Sequence, residues 1–401
     1  MKKYSVAFLT SHPVRYQIPL FRNITAHSDV DLMVYYCSNF GASTNGGDFD
    51  PQFNRKIDWG EDVYDGYQYA ILPNFASKKS PEFWGQVNPG IISILFREKF
   101  DAIIIHGWNG VTNWLAFFAA VVTRTPIFLR GESGLHQKRE VGLMKSIMKM
   151  TILKPLFSKC SAFLVIGEEN KRFYKMYGAK EEKCYFAPYT VDNDNFFRIA
   201  LRATEVRKKV CAQLDIPIDS IVIIVVGKLI KKKSPLDVIR AFSQMKCKEA
   251  HLVFIGDGIL RQSLEIFARS LSLERVHFVG FKNHSEISDY YCLANVFVLA
   301  SLREPWGLVV NEAMCFGLPV IVSDCVGSAA DLVQEFRNGY IFQHGNSQQL
   351  AAYLDELCVN GSKREAFGKQ SEEIIRAYNY DVAVRGIIEA IQQRSRQKAT
   401  P

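Results

Sequence analysis

Ile221-Val222-Ile223-Ile224-Val225-Val226 runs directly into Gly227-Lys228. The run shows no polar alternation, so both faces of the strand it forms carry branched apolar side chains and both must be covered. That is the situation of a strand inside a parallel sheet with helices on either side. Runs of similar type precede it at Ser5–Thr10, Asp31–Tyr36, Asp101–His106, Ile127–Arg130 and Ala162–Ile166. Others come later at Leu252–Ile255, Val276–Val279, Val296–Ala300 and Val320–Ser323, and stretches of helical period lie between them. Strand–helix alternation of this kind builds βαβ units. The fold class is therefore α/β, with doubly wound parallel sheets that take ligands at the carboxyl ends of their strands.

A chain of 401 residues has room for two or three domains at roughly 150 residues each. The clearest boundary lies between Ala187-Pro188 and Lys209, where the turn-rich Asp192-Asn193-Asp194-Asn195 is followed by the charged Arg202–Lys209. The expected division is a Rossmann-like domain over 1–195, a second over 196–375, and a helical tail over 376–401 that returns towards the first domain. No fixed-period repeat or low-complexity segment interrupts this plan.

Hydrophobic residues make up 48% of the chain and charged residues 22%, which excludes collagen-like and wholly disordered chains. Lysine and arginine exceed the acids by 49 to 41, a formal charge of +8. So modest an excess suits a phosphate-bearing ligand or an acidic membrane surface, without calling for nucleic acid. The nine cysteines are odd in number and never spaced C-x-x-C, which argues against zinc and against a disulfide framework. The opening Met1-Lys2-Lys3 and Tyr4–Leu9 reads as a first strand and not as a signal peptide, and no apolar stretch reaches membrane-span length. A cytoplasmic protein, peripheral at most on the inner face of the membrane, is the expectation.

Glu304-Pro305-Trp306-Gly307-Leu308-Val309-Val310-Asn311-Glu312 follows the strand Val296–Ala300. A buried strand, a loop bearing Glu304, a glycine and a helix start come in that order. Gly307 admits close approach of another molecule, and the first amides of the helix, at Leu308 and Val309, suit a diphosphate. Glu312, a turn into the helix, can reach a ribose diol, and Glu304 a sugar hydroxyl. His106 ends its strand before Gly107 and should face the ligand side of the first sheet. Arg130 and Glu132 end the next strand on the same rim.

Glu304 and Glu312 resemble the E-x7-E motif of the family 4 glycosyltransferases, retaining enzymes of the GT-B fold. Gly227-Lys228-Leu229 with Lys233 resembles the family's G-[RK]-L followed by lysine. Ile255-Gly256-Asp257-Gly258 resembles its I-G-x-G turn, Phe278-Val279-Gly280 its F-x-G loop, and Gly317-Leu318-Pro319-Val320-Ile321 its G-x-P-V strand entry. In the first domain the likeness rests on Ser11-His12-Pro13, His106-Gly107 and Pro188–Phe197, and is looser. The opening loop lacks the usual glycine pair, and Arg15 is the residue expected to compensate. The resemblance implies two Rossmann-like domains facing a cleft, with Lys228 and Lys233 on the leaving phosphate, where cations stabilise the charge that develops. It also implies Phe278 and Gly280 at the base, with Gly227, Gly256 and Gly307 shaping the donor site. His106 lies near the donor sugar on this reading, or is a strand-end histidine bonded to a neighbouring carbonyl. Arg130 touches the acceptor or a phosphate, or pairs with Glu132.

The implied activity is metal-independent transfer of a hexose-type sugar from a nucleotide-sugar, with retention and without a cofactor. The acceptor would be a glycan or lipid-linked precursor of cell-surface polysaccharide. The alternatives are a nucleotide-sugar epimerase or hydrolase of the same fold, or a non-catalytic glycan- or membrane-binding module. Two D-x-D triplets, Asp48-Phe49-Asp50 and Asp192-Asn193-Asp194, sit in turn-rich surroundings and are read as turns, not as metal ligands. Lys138, Lys145 and Lys149 fall on one helical face, which is either a basic rim for an anionic membrane or a solvated face of an ordinary helix.

Overall fold

The computed structural model describes residues 3–42, 48–50, 55–57, 61–80, 82–135 and 143–399. The chain divides into two units. The first comprises Met1–Phe49, Lys56–Tyr189 and Tyr380–Pro401, and the second is chiefly Thr190–Asn379.

The first unit is built on β1 (Tyr4–Thr10), β2 (Val30–Tyr36), β5 (Gln68–Ile71), β6 (Ala102–His106), β7 (Ile127–Arg130), β8 (Ala162–Val165) and β9 (Cys184–Phe186). A separate pair, β3 (Asp48–Asp50) and β4 (Arg55–Ile57), takes up the first D-x-D triplet, which is therefore a short strand and not a turn. The main sheet is parallel throughout, in the order β5-β2-β1-β6-β7-β8-β9. Strand order reverses between β1 and β6, so their carboxyl ends, at Thr10 and His106, flank the crevice where such sheets bind ligands. Separate apolar clusters cover the two faces of the sheet. One of them includes Ala383, Val384, Ile387, Ile388 and Ile391 of the helix Tyr380–Ala399. The tail thus belongs to the first unit, and each buried Val or Ile side chain contributes at most roughly 1.5–3 kcal/mol to holding it there. Gly386 allows the contact: a Cβ there would lie 1.9 Å from the carbonyl oxygen of Phe186 in β9.

The second unit carries β10 (Val222–Val226), β11 (His251–Ile255), β12 (Val276–Gly280), β13 (Val296–Leu299), β14 (Val320–Ser323) and β15 (Gly339–Phe342). Their order is β12-β11-β10-β13-β14-β15, again all parallel. Every residue of β10 is buried, as its unbroken apolar run requires. Here the reversal falls between β10 and β13. The crevice is therefore bounded by Gly227-Lys228 after β10 and by the loop to Glu304 after β13.

Candidate functional site

At the switch point of the second sheet, Gly227 leaves β10 with φ +145° and its amide donates to Ile255 O at 2.9 Å. Gly256 has φ +138°, and a Cβ on it would lie 1.9 Å from Gly227 O, so the two loops meet only because Gly256 has no side chain, while Gly227 is required for its left-handed backbone. The chain then forms a short turn at Lys231–Lys233. The carbonyl of Lys232 accepts from Leu302 N at 2.9 Å, which ties the lysine turn to the loop after β13. Across that junction the Lys233 ammonium pairs with Glu304 Oε2, and Ser301 Oγ donates to the same oxygen at 3.1 Å. Glu304 is 9% exposed, and its backbone is fixed through Cys325 O and Gly327 N. Lys228 is half-buried beside the crevice, whereas Lys231 and Lys232 are exposed.

Gly307 ends this loop with φ +96°, and the helix Leu308–Cys315 starts from it without a capping side chain. A Cβ on Gly307 would meet Leu299 Cδ2 at 3.0 Å and Glu304 Cγ at 3.2 Å. Glycine here serves both the turn and the seating of Glu304. Trp306 is buried and donates from Nε1 to Asn311 Oδ1 at 3.0 Å, locking the loop onto its own helix. One turn in, Glu312 accepts a 2.7 Å bond from the Tyr291 hydroxyl. Burial pushes its carboxyl up to about 7, and that bond offsets the shift only in part. Phe278 stacks on Phe254 with ring centres 5.0 Å apart, and its carbonyl accepts from Arg261 Nη2 at 3.2 Å. Arg261, which also pairs with Asp257 and Glu265, braces the Gly256 and Gly280 turns. A Cβ on Gly280, φ +76°, would stand 3.1 Å from its Nη1.

At the switch point of the first sheet, His106 closes β6 among polar groups. Its Nε2 lies 3.2 Å from both Gln17 Nε2 and the Tyr189 hydroxyl. The two tyrosine hydroxyls, of Tyr189 and Tyr16, donate to Glu132 Oε1 at 2.9 and 3.1 Å. Thr10 Oγ1 donates to Gln17 Oε1, which turns the amide nitrogen towards the ring. The Gln17 amide nitrogen calls for an acceptor at His106 Nε2, whereas Tyr189, whose one proton goes to Glu132, calls for a donor there, so the two contacts favour opposite tautomers of the ring. The other ring nitrogen, Nδ1, is buried and finds no partner among the described residues. Burial, reinforced by the positive charges of Arg130 and His12, lowers the ring to about 3 and keeps it neutral. Arg130 is 1% exposed, lies over the Tyr189 ring at 4.8 Å, and gives Nη2 to the carbonyls of Ala187 and Pro188. It supports the cluster from beneath. Arg15 opens the short turn Arg15–Gln17 that delivers Tyr16 and Gln17.

Within the second unit the structure thus brings together Gly227, Lys228, Lys233, Glu304, Gly307 and the helix start at Leu308 and Val309. Glu312 stands a turn further in, and Gly256, Phe278 and Gly280 form the neighbouring turns. In the first unit His106, Arg130 and Glu132 share one cluster. To the residues that sequence patterning picks out, the fold adds Ser301, Tyr291 and Arg261 in the second unit and Gln17, Tyr16 and Tyr189 in the first. Ser301 stands two residues past the end of β13 at a switch point, so its position is a usable signal, but the tyrosines carry no local one. Asp192 of the second D-x-D triplet caps the helix Asn193–Ala200 by accepting from Asn195 N at 3.2 Å. Of the three lysines assigned to a basic rim, Lys138 lies outside the described residues, as does the side chain of Lys145. Lys149 sits over the Trp108 ring at 5.4 Å, packed against its own unit. Among the described residues, no group of three or more His, Cys, Asp or Glu is placed to hold a metal, and no helix is long and apolar enough to cross a membrane.

Residues 206–374 match the family described as glycosyl transferases group 1, a span that contains Lys228, Lys233, Glu304 and Glu312. An uncharacterized glycosyltransferase of Methanocaldococcus jannaschii is 26% identical over 74% of this chain and 79% of its own length. The capsular polysaccharide biosynthesis glycosyltransferase CapM of Staphylococcus aureus is 24% identical over 76% of this chain and 79% of its own. Among solved structures, Anabaena HepE in complex with UDP superposes with a TM-score of 0.74 at 17% identity, covering 98% of this chain and all of that one. The fold is therefore the GT-B fold, with two parallel-sheet Rossmann-like units.

Proposed function

We propose that this chain is a retaining glycosyltransferase that moves a hexose-type sugar from a nucleotide-sugar to a glycan or lipid-linked acceptor during the building of cell-surface polysaccharide. The observation that carries the reading is the Lys233–Glu304 pair at the switch point of the second sheet, one loop before a helix that starts from a left-handed glycine. The match of that unit to group 1 glycosyl transferases supports it, as do the capsular polysaccharide relative and the UDP-bound neighbour.

Departure of a nucleoside diphosphate from the anomeric carbon leaves negative charge on its outer phosphate. Lys228, Lys233 and the amides of Leu308 and Val309 neutralise that charge, with no metal or cofactor. Glu312 accepts from the ribose hydroxyls, and Glu304 holds a sugar hydroxyl while positioning Lys233. On the first unit, His106 keeps the place that the family resemblance gives it, near the donor sugar. The reaction takes place in the cytoplasm.

The test is nucleotide release from a panel of UDP-, GDP- and ADP-sugars, with and without chelator, followed by NMR of the glycosidic product. Release in chelator and a product with the donor's anomeric configuration are expected. An inverted product, or activity that chelator abolishes and magnesium or manganese restores, would overturn the reading. Release of nucleotide with free sugar in place of a glycoside would point to a hydrolase.

A further inference from the structure

The helix Val111–Thr123 contains no charged residue, a pattern ordinarily found where a helix is covered on every side. Here part of its surface stands uncovered. Ala116, Phe117, Ala119 and Ala120 pack on the first sheet, whereas Phe118 is 64% exposed and Val121 and Val122 are exposed beside it. The helix Gly90–Arg97, which packs alongside, adds Phe96 at 57% exposure. Between β5 and that helix, the loop residues 73–80 and 82–89 present three more exposed aromatics, Phe75 at 71%, Trp84 at 75% and Phe83.

This loop is braced. Phe75 N donates to Val87 O at 2.8 Å, and the Asn74 side chain accepts from Ala76 N and Val87 N while donating to Gly85 O. A Cβ on Gly85 would lie 2.2 Å from Ser80 O, so the chain is closed tightly across its neck. The aromatics are thus held outward by a rigid frame, and little further ordering is needed for them to dock.

Cations accompany them. Lys78 and Lys79 lie in the same loop, Arg97 follows Phe96, Lys99 comes two residues later, and Arg124 ends the charge-free helix. All five are exposed, and none has an ion-pair partner among the described residues, where Glu82 and Glu98 are the nearby exposed acids. A symmetric contact with a second copy would bring the cations of both copies around one interface, which like-charge repulsion disfavours. An anionic surface that accepts aromatic rings at its boundary satisfies both features.

We propose that this face of the first unit, centred on Phe75, Phe83, Trp84, Phe96 and Phe118, docks on a bilayer of anionic phospholipid. The inference does not depend on sugar transfer, and it assigns membrane contact to aromatic residues in place of the lysines over 138–149.

The test is flotation of the full chain with phosphatidylcholine vesicles, with and without phosphatidylglycerol. Wild type is compared with a loop variant (Phe75→Ser, Phe83→Ser, Trp84→Ser), a helix variant (Phe96→Ser, Phe118→Ser) and a charge variant (Lys78→Gln, Lys79→Gln, Arg97→Gln). Thermal melts check that each variant is folded. Wild type is expected to float with phosphatidylglycerol vesicles, with partitioning lowered about tenfold or more by either aromatic variant, since binding scales with buried apolar area. The charge variant should lose the preference for phosphatidylglycerol. Failure of wild type to float, or equal flotation of folded aromatic variants, would overturn the proposal. So would a wild-type dimer in sedimentation velocity that the same variants dissociate, because a second copy would then own the face.

Discussion

Gln17 Nε2 and the Tyr189 hydroxyl both stand 3.2 Å from His106 Nε2, and the two contacts call for opposite ring tautomers. The amide favours Nδ1–H and the tyrosine, whose proton goes to Glu132, favours Nε2–H, while burial lowers the ring pKa to about 3. Nitrogen-15 NMR of histidine-labelled protein should show one neutral ring that does not titrate between pH 5 and 8, and it reads the tautomer directly. The usual histidine value lies near 6.5, so between about 3 and 6.5 the unfolded chain binds this proton and the folded chain does not. His106 therefore removes stability as pH falls through that window. Gln17→Glu places a carboxylate acceptor against the ring and should fix it as Nε2–H, which the same spectrum reads. A ring that titrates near the usual histidine value would refute the buried, neutral state.

Glu312 behaves in the opposite sense. Its carboxyl, pushed up to about 7, is protonated in the folded chain over a range where the unfolded chain has already ionised. Stability therefore falls as pH rises from about 4.5 to 7. Ribose hydroxyls would donate to the ionised form, so nucleotide binding should release a proton. Calorimetry with bare nucleoside diphosphate is expected to show affinity declining below pH 7, by at most about tenfold per unit. Glu312→Gln should bind more weakly by roughly 1–3 kcal/mol and lose that pH limb. A variant that keeps the limb would assign the proton to another group.

Gly307→Ala asks for a side chain at φ +96° in a space bounded by Leu299 and Glu304. The backbone strain alone is worth about 1–3 kcal/mol. A lowered melting temperature with a larger proportional loss of turnover is expected, because Glu304 must shift. If Gly307→Ala melts and turns over like wild type, the glycine does not seat Glu304.

The two sheets were legible because a strand buried on both faces cannot hide its composition, and β10 has no polar residue to mislead. β5 and β9, with Gln68 and Cys184 at their starts and exposed or half-buried positions throughout, lack that signal, and only pairing with β2 and β8 makes them strands. The second-unit site was readable for a related reason, since a glycine, a helix start and two glutamates are sequence neighbours. The first-unit cluster was not. Tyr16, Gln17, Glu132 and Tyr189 come from distant parts of the chain and meet only around His106. Nor does sequence position reveal that Lys149 is engaged by Trp108 while a charge-free helix stands uncovered.

The Lys233–Glu304 pair gives the sharpest division of roles. Both side chains are largely shielded from water, at 19% and 11% exposure, so removing either charge leaves the other poorly compensated. Lys233→Ala removes the Lys233 ammonium from the Glu304 carboxylate, and should lower both melting temperature and nucleotide affinity. Glu304→Gln frees the ammonium for phosphate. Bare nucleoside diphosphate should then bind as well as in wild type or more tightly, while turnover of the nucleotide-sugar collapses because the sugar has lost its acceptor. The double variant should recover part of the melting temperature lost in Lys233→Ala, with a coupling of about 1–3 kcal/mol. Equal weakening of bare nucleotide by Glu304→Gln and Glu312→Gln would merge the two glutamates into one binding role and remove Glu304 from the chemistry.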